Sequence, residues 1–489
     1  MKPRYPSIYQ INTRIWLGSL SAKYGRQISL VNVPDEELER IAALGFDWLW
    51  LLGVWRTSEI GRQIALELPE MRQVYQEALP DYQPEDICSS PFANTGYVVS
   101  LDLGGEHGLA LLRERLQARN IRLLLDYIPN HTARDHPWLT LHPDFYIHGS
   151  EEQLRSQPYN YGFAQNLDKV FAFGRDPFFQ GWSDTFQLNY GNPQLQEVMR
   201  KELLHIAGMC DGVRCDMAML VLPEVFENTW GIEMQPFWAQ TIQETRTGYP
   251  EFIFMAEVYW DLEWSLQEQG FDYTYDKRLY DRLLAQEARP VREHLLAGLG
   301  FQSKLVRFLE NHDEVRAAAA LPPKVHRAAA VITYLTPGMR FFHQGQLVGN
   351  RTRLPMQLCR SPREHPDPYI WALYSALVEL LNQPVLRNGN WQLLECWPAW
   401  QSNWTWDSFV AFSWQDEQQT PIVVVVNYSP HQSQCYVRLP WNDLSGKQIN
   451  FKDQLGETDY IRSGDDLDLI GLYLDMPPWE SHVFKVSVG

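Results

Sequence analysis

Ile121-Arg122-Leu123-Leu124-Leu125-Asp126-Tyr127-Ile128-Pro129-Asn130-His131 is a short apolar run that ends in a polar cluster, and its form recurs along the chain. It reads as a strand, preceded by a helical pattern from about Glu106 to Arg119. Working outward, such runs alternate with helical patterns from residue 1 to about 385, the signature of repeated β-α units and a parallel sheet. The other candidate strands are Ile8 to Asn12, Asp47 to Leu52, Gly212 to Cys215, Phe252 to Val258, Phe271 to Tyr275, Lys304 to Leu309 and Met339 to His343. Eight candidates predict a (β/α)8 TIM barrel. A further helix is well marked: Asn192 caps it, Pro193 takes the first helical position, Leu195, Val198, Met199, Leu203 and Ile206 make one face, and Gly208 ends it. Between the third strand and that helix, residues 132–181 are dense in His, Pro, Gly and aromatics without clear periodicity, and are expected to form an inserted lid or small domain. The division expected is therefore a barrel over 1–131 and 182–385, an insert over 132–181, and an antiparallel β domain, a sandwich, over 386–489. In the last of these, Ser408 to Trp414, Pro421 to Tyr428 and His482 to Val488 alternate as strands.

The 489 residues carry 42 Lys+Arg against 60 Asp+Glu, a formal charge of -18. An acidic surface repels nucleic-acid phosphates and anionic headgroups, so neither nucleic acid nor a membrane is an expected partner, and a neutral or cationic small substrate fits better. At roughly 150 residues per domain the length allows two or three domains. The six cysteines, Cys88, Cys210, Cys215, Cys359, Cys396 and Cys435, show neither a CxxC pair nor a framework spacing. With no apolar leader stretch and no run of 18 apolar residues, the expectation is a cytoplasmic protein in a reducing compartment. The 19 Trp, 23 Tyr and 22 Phe can stack on sugar faces, although rings are also core filler.

In a barrel of this kind the chemistry lies at the carboxyl ends of the strands. Four clusters stand there: Asp126 to His131, Arg214-Cys215-Asp216, Ala256-Glu257-Val258-Tyr259, and Glu310-Asn311-His312-Asp313. Each alone reads equally as a helix cap or an ion-pair partner; four on one barrel face point to a site. Carboxylates flanked by His, Arg and aromatics, without metal-ligand spacing, suit glycoside cleavage, which needs one carboxylate ionised and one protonated. Arg214, two residues before Asp216 on the same side of the strand, keeps that carboxylate charged and aimed, as a nucleophile requires. Glu257 lies in the apolar stretch Phe252 to Trp260, where desolvation favours the protonated form, as a proton donor requires. A retaining mechanism places such a pair about 5 Å apart.

These four clusters, in this order, resemble the conserved regions of the α-amylase family, glycoside hydrolase family 13, and the resemblance covers the whole chain. It implies a catalytic (β/α)8 barrel with the family's domains B and C, and retention of α-configuration. By motif, Asp216 is the nucleophile, Glu257 the general acid/base, and Asp313 the third carboxylate, which holds the sugar's secondary hydroxyls. Arg214 orients Asp216; Asp126, His131 and His312 line the subsite of the sugar being cleaved. Tyr97, in Ser90-Pro91-Phe92-Ala93-Asn94-Thr95-Gly96-Tyr97, matches the tyrosine that stacks under that sugar. Gln187-Leu188-Asn189-Tyr190 is similar to a motif near the end of domain B, and Asn189 reads equally as part of the turn before the helix. Asn130 matches a position that ligates calcium in many amylases. Calcium needs six to eight oxygens and the sequence assembles no others, so no cofactor is required, calcium is not supported, and Asn130 reads as a turn residue.

One departure bears on substrate. Met219 and Leu220 stand where many starch-cutting amylases carry a Lys-His pair that grips sugar beyond the cleavage point, which weighs against endo-attack on long starch. The segment Gly345 to Pro355, rich in Arg, reads as a surface salt-bridged loop ahead of a rim to the site. The expected activity is retaining hydrolysis of α-glucosidic bonds in α-glucans or oligosaccharides, ahead of glucanotransfer through the same intermediate. A non-catalytic carbohydrate-binding barrel ranks last because all three carboxylates are present.

Overall fold

Eight strands close into a barrel in the computed structural model, which describes residues 3–164, 167–416, 419–441 and 443–488. They are β1 (Ser7–Asn12), β2 (Trp48–Leu52), β3 (Arg122–Tyr127), β4 (Gly212–Cys215), β5 (Ile253–Ala256), β6 (Tyr273–Tyr275), β7 (Leu305–Arg307) and β8 (Met339–His343). Each pairs with its neighbours in chain order and β1 closes on β8, so the eight apolar runs of the sequence are the eight barrel strands. They read as continuous apolar runs because a parallel barrel strand is covered on both faces; every residue of β1, β2 and β4 is buried. Only β5 and β7 stop short of their runs at the carboxyl end, where Glu257 and Glu310 to Asp313 follow.

The chain divides into two compact units, Tyr9–Tyr275 with Arg353–Arg363, and Met1–Ile8 with Asp276–Thr352 and Glu364–Gly489. In the first, α1 (Gly105–Gln117) precedes β3 and α2 (Pro193–Met209) precedes β4. Asn192 caps α2 by accepting from Gln194 N–H at 2.9 Å, with Pro193 at the first helical position. The expected insert holds one small sheet, and a second joins its start to residues beyond its expected end at 181. His131–Ala133 pairs antiparallel with Thr185–Gln187, and His148–Gly149, Val170–Ala172 and Tyr161–Phe163 form a three-stranded sheet. Strands of two or three residues are too short to show a period, which is why this stretch looks irregular in sequence.

In the second unit, two fully buried arginines lie in register on adjacent strands, Arg307 on β7 and Arg340 on β8. Arg340 donates to the carbonyls of Tyr5, Leu386 and Tyr334. Arg307 pairs with Asp276 and donates to Gln302 and to the Pro337 carbonyl. Burial pushes the Asp276 carboxyl up, yet the nearby His294 and Arg307 outweigh it and hold the group well below the usual carboxylate range. The C-terminal part is a sandwich. A six-stranded antiparallel sheet in the order Asn390–Leu393, Phe409–Asp416, Gln419–Asn427, Ser481–Val488, Gln448–Asp453, Asp459–Ser463 faces a three-stranded sheet of Cys396–Pro398, Ser433–Val437 and Leu472–Met476. Phe409, Val423, Val425, Cys435, Phe451, Leu474 and Phe484 fill the space between them.

Candidate active site

Parallel pairing sets Arg214 of β4 opposite Asp126 of β3 and opposite Met255 of β5. Asp216 and Glu257 follow directly where β4 and β5 end. The Arg214 guanidinium fills the space between them: Nη1 donates to Asp216 Oδ1 at 2.5 Å and Nη2 to Glu257 Oε2 at 2.6 Å, with Asp126 Oδ1 4.0 Å from Nη1. The Trp50 and Phe92 rings lie 5.5 and 5.0 Å from its centre, so the cation is walled by aromatic faces as well as carboxylates. Arg214 therefore orients both carboxylates and not Asp216 alone. Glu257 also accepts from Met217 N–H at 2.8 Å and from the Tyr259 hydroxyl at 2.9 Å. Its immediate shell is hydrogen-bond donors, which replaces the apolar surroundings inferred from Phe252 to Trp260. Met217 takes a left-handed φ of 42°, and that turn aims its N–H at Glu257.

Asp126 is held by Trp50 Nε1 at 3.2 Å and Gly53 N–H at 3.0 Å. Gly53 has φ 80°, and a Cβ there would lie 2.8 Å from Pro91 Cβ, so the close approach needs glycine. Burial raises the Asp126 carboxyl from 3.8 to about 7, with Arg214, Gly53 and Trp50 pulling it down and Asp216 pushing it up. A raised folded value gives stability that is full below about 3.8 and lost as pH climbs through about 7. The difference corresponds to roughly 4 kcal/mol. Asp126→Asn, which cannot ionise, is expected to gain stability relative to the parent between about pH 5 and about pH 8. Urea midpoints of the two proteins at both pH values check this; a gap that is constant, or that moves towards the parent as pH rises, contradicts it. His131 is also buried, and desolvation lowers it to about 4, partly offset by a bond with the Phe92 backbone and by Glu257. It is neutral at ordinary pH, with one ring nitrogen a donor and one an acceptor.

Tyr97 does not present its face beside Arg214. It is buried against Tyr127 and Trp55, and its hydroxyl donates to the Ile128 carbonyl at 2.9 Å and accepts from Ile128 N–H at 3.0 Å. The aromatic of the 90–97 segment that reaches Arg214 is Phe92. Asn130 exchanges side-chain hydrogen bonds with Gln187 at 3.1 and 2.9 Å, and Gln187 also donates to the Asn130 carbonyl. Among the described residues no group of three or more His, Cys, Asp or Glu is placed to hold a metal ion. Asn189 accepts from Gly191 N–H at 3.1 Å, a turn role. Met219 and Leu220 are buried, with Trp238 Nε1 bonded to the neighbouring Ala218 carbonyl, so neither side chain is placed to grip a ligand.

In the second unit, the end of β7 forms a tight turn in which Asn311 Oδ1 accepts from the N–H groups of Asp313 and Glu314, both at 2.9 Å. His312 is buried, with Nε2 3.0 Å from Asp313 Oδ2, whereas the Asp313 side chain is 46% exposed. Glu310 accepts from Ala317 N–H at 2.7 Å and faces Arg316 at 3.1 Å. The Arg-rich loop is braced there by Glu364, which accepts from Arg351 and Thr352 N–H. Tyr259, Met217 N–H, Trp50 and Phe92 escaped the sequence reading. Only Tyr259 carried a signal, its place two residues beyond Glu257.

No profile of a known protein family matches the chain. Individual relatives do. α-Amylase 3 of Dictyoglomus thermophilum is 24% identical over 279 residues, 52% of this chain and 53% of that protein. A 4-α-glucanotransferase of Thermotoga neapolitana is 23% identical over 350 residues, 67% of this chain and 71% of that one. Among solved structures, the maltogenic α-amylase AmyB of Thermotoga neapolitana shares the fold over 100% of both chains, with a TM-score of 0.69 at 18% identity. The chain spans about half the length of the α-amylases it matches in sequence. The chain is thus similar in sequence to α-amylases and a 4-α-glucanotransferase over part of its length, and it shares the closed-barrel fold of solved α-amylases.

Proposed function

We propose that this chain is a retaining glycoside hydrolase acting on α-glucosidic bonds of short α-glucans or maltooligosaccharides. The observation that carries the reading is the single guanidinium of Arg214 donating at once to Asp216 and Glu257. One fork spanning two carboxylates favours the short separation, on the order of 5 Å, that double displacement needs. Asp216 attacks the anomeric carbon while Glu257 gives its proton to the departing glucosidic oxygen, leaving a glycosyl ester on Asp216. Glu257, now ionised, takes a proton from water as the water oxygen attacks the same carbon, which frees Asp216 and restores the acid. By the motif resemblance, Asp313 holds the secondary hydroxyls, and Asp126, His131 and His312 bond the sugar being cleaved. Tyr97 acts through the Ile128 backbone in supporting that subsite, and Phe92 supplies the ring. The insert over 132–181 serves as the substrate-side lid on the barrel of 1–131 and 182–385, with 386–489 closing the chain. Buried Met219 and Leu220 support short substrates over long starch. Among the described residues no helix is long and apolar enough to cross a membrane, and the acidic charge and unpaired thiols support a reducing, cytoplasmic setting.

The test is the product ladder from a pure maltooligosaccharide, with Glu257→Gln as the blank. At low substrate concentration, products shorter than the substrate are expected to predominate from the outset; longer products predominating there overturn hydrolysis in favour of transfer. One observation favours some transfer. Phe178, 69% exposed in the insert, meets Trp260, 37% exposed and three residues beyond Glu257, with ring centroids 4.9 Å apart. Trp260 and Asp261 both hold φ 63°, a strained turn that keeps the ring outward. Exposed rings beside a proton donor suit an acceptor sugar. A stacking contact of roughly 1 kcal/mol predicts that Trp260→Ala lowers the ratio of longer to shorter products about fivefold, with hydrolysis little changed. An unchanged ratio at high substrate concentration removes these rings from acceptor binding.

A further inference from the structure

The loop that leaves β8 carries a short antiparallel contact with a segment from the other end of the sequence. Ile87 bridges Leu358, Cys88 N–H donates to the Gln357 carbonyl at 2.8 Å, and Cys359 N–H donates to the Asp86 carbonyl at 2.9 Å. Antiparallel pairing at 87 and 358 sets residues 88 and 359 on the same face, one strand apart on a diagonal. The Cys88 thiol donates to the Gln357 carbonyl at 3.2 Å and the Cys359 thiol to the Asp86 carbonyl at 3.3 Å, so each is held beside the opposite segment. Both are half-buried, whereas Cys210, Cys215, Cys396 and Cys435 are buried. Arg360 closes one side by pairing with Asp81 and Asp86, and Leu354 and Leu358 pack with Ala65, Tyr75, Leu79 and Ile87 on the other. Residues Arg353–Arg363 thus lie with Tyr9–Tyr275, apart from the flanking Asp276–Thr352 and Glu364–Gly489. Four residues beyond Cys88 stands Phe92, whose ring walls Arg214.

We propose that Cys88 and Cys359 form a reversible thiol–disulfide site, oxidised by exchange with a small-molecule disulfide, that staples the strap of residues 353–363 to the segment leading to Phe92. The Cys359 thiolate attacks one sulfur of the small disulfide, forming a mixed disulfide and releasing one thiolate. Cys88, giving up its proton, attacks the Cys359 sulfur and expels the second thiolate. The two cysteines lose two electrons and two protons, and the small disulfide becomes two thiols. Cys359 is the attacking group because the neighbouring Cys88 lowers its thiol to about 7, against desolvation. Because the link would close a long stretch of chain, it is expected to raise Tm by roughly 5 °C.

The experiment exposes the native, fully reduced protein to oxidised glutathione and maps the products by mass spectrometry, with Tm recorded before and after reduction. Expected are a cross-link between the peptides holding Cys88 and Cys359, a higher Tm reversed by dithiothreitol, and, in Cys88→Ser, reaction that stops at a glutathione adduct on Cys359. Circular dichroism establishes that this near-isosteric variant folds. Glutathione adducts on both cysteines of the parent without a link, a link between other cysteines, or no reaction at Cys359 overturns the proposal. The readout is thiol chemistry, so it stands apart from the glycosidase reading.

Discussion

Asp216→Asn leaves a folded protein whose turnover of maltooligosaccharides falls by about ten-thousand-fold or more, since the amide cannot form the glycosyl ester. Stability moves the other way. Asp216 pushes the Asp126 carboxyl up across the shared guanidinium of Arg214, so these two carboxyls repel one another. Removing one charge while keeping an oxygen for Arg214 Nη1 relieves repulsion, and Tm is expected to be unchanged or higher. Kinetics and a melting curve on the same preparation check both. Turnover within tenfold of the parent removes Asp216 as nucleophile, and a fall in Tm of several degrees contradicts the charge argument.

Glu257→Gln is the second large effect, and leaving-group chemistry distinguishes it from the first. The amide oxygen still accepts from Met217 N–H and Arg214, and the amide NH2 donates to the Tyr259 hydroxyl oxygen in place of accepting from it, so the loop holds its shape. What is lost is the proton, and cleavage of maltooligosaccharides is expected to drop roughly a thousandfold. Fluoride leaves without a proton, so the first step with an α-glucosyl fluoride should stay within about tenfold of the parent. Equal losses on both substrates would mean that Glu257 serves positioning and not proton transfer.

The barrel was legible because its strands are buried on both faces, and such strands stand out as apolar runs between helical patterns. Their polar ends were legible for the same reason: Asp126, Asp216 and Glu257 interrupt apolar stretches. What the runs conceal is register. That Arg214 faces Asp126 across β3 and β4 decides the shared guanidinium, yet it depends on pairing between residues 88 positions apart. Backbone direction was hidden too: the left-handed turn at Met217 supplies a donor that no side chain announces. The ring contacts were hidden as well: Tyr97 packs on Tyr127 and Trp55 while the Phe92 ring lies over Arg214, and a motif position does not reveal such packing. The thiol pair was invisible for a plainer reason, as Cys88 and Cys359 meet only after the loop beyond β8 folds back.

The central claim is a covalent glycosyl-enzyme on Asp216, and Glu257→Gln offers the means to catch it. With an α-glucosyl fluoride the first step proceeds, while the second lacks the base that activates water, so the ester accumulates. Rapid quenching followed by peptide mapping should show one glycosyl residue on the peptide holding Asp216, absent when Asp216 is also replaced by Asn. A quenched protein with no adduct while fluoride is released, or an adduct carried by Asp126 or Asp313, would contradict the account.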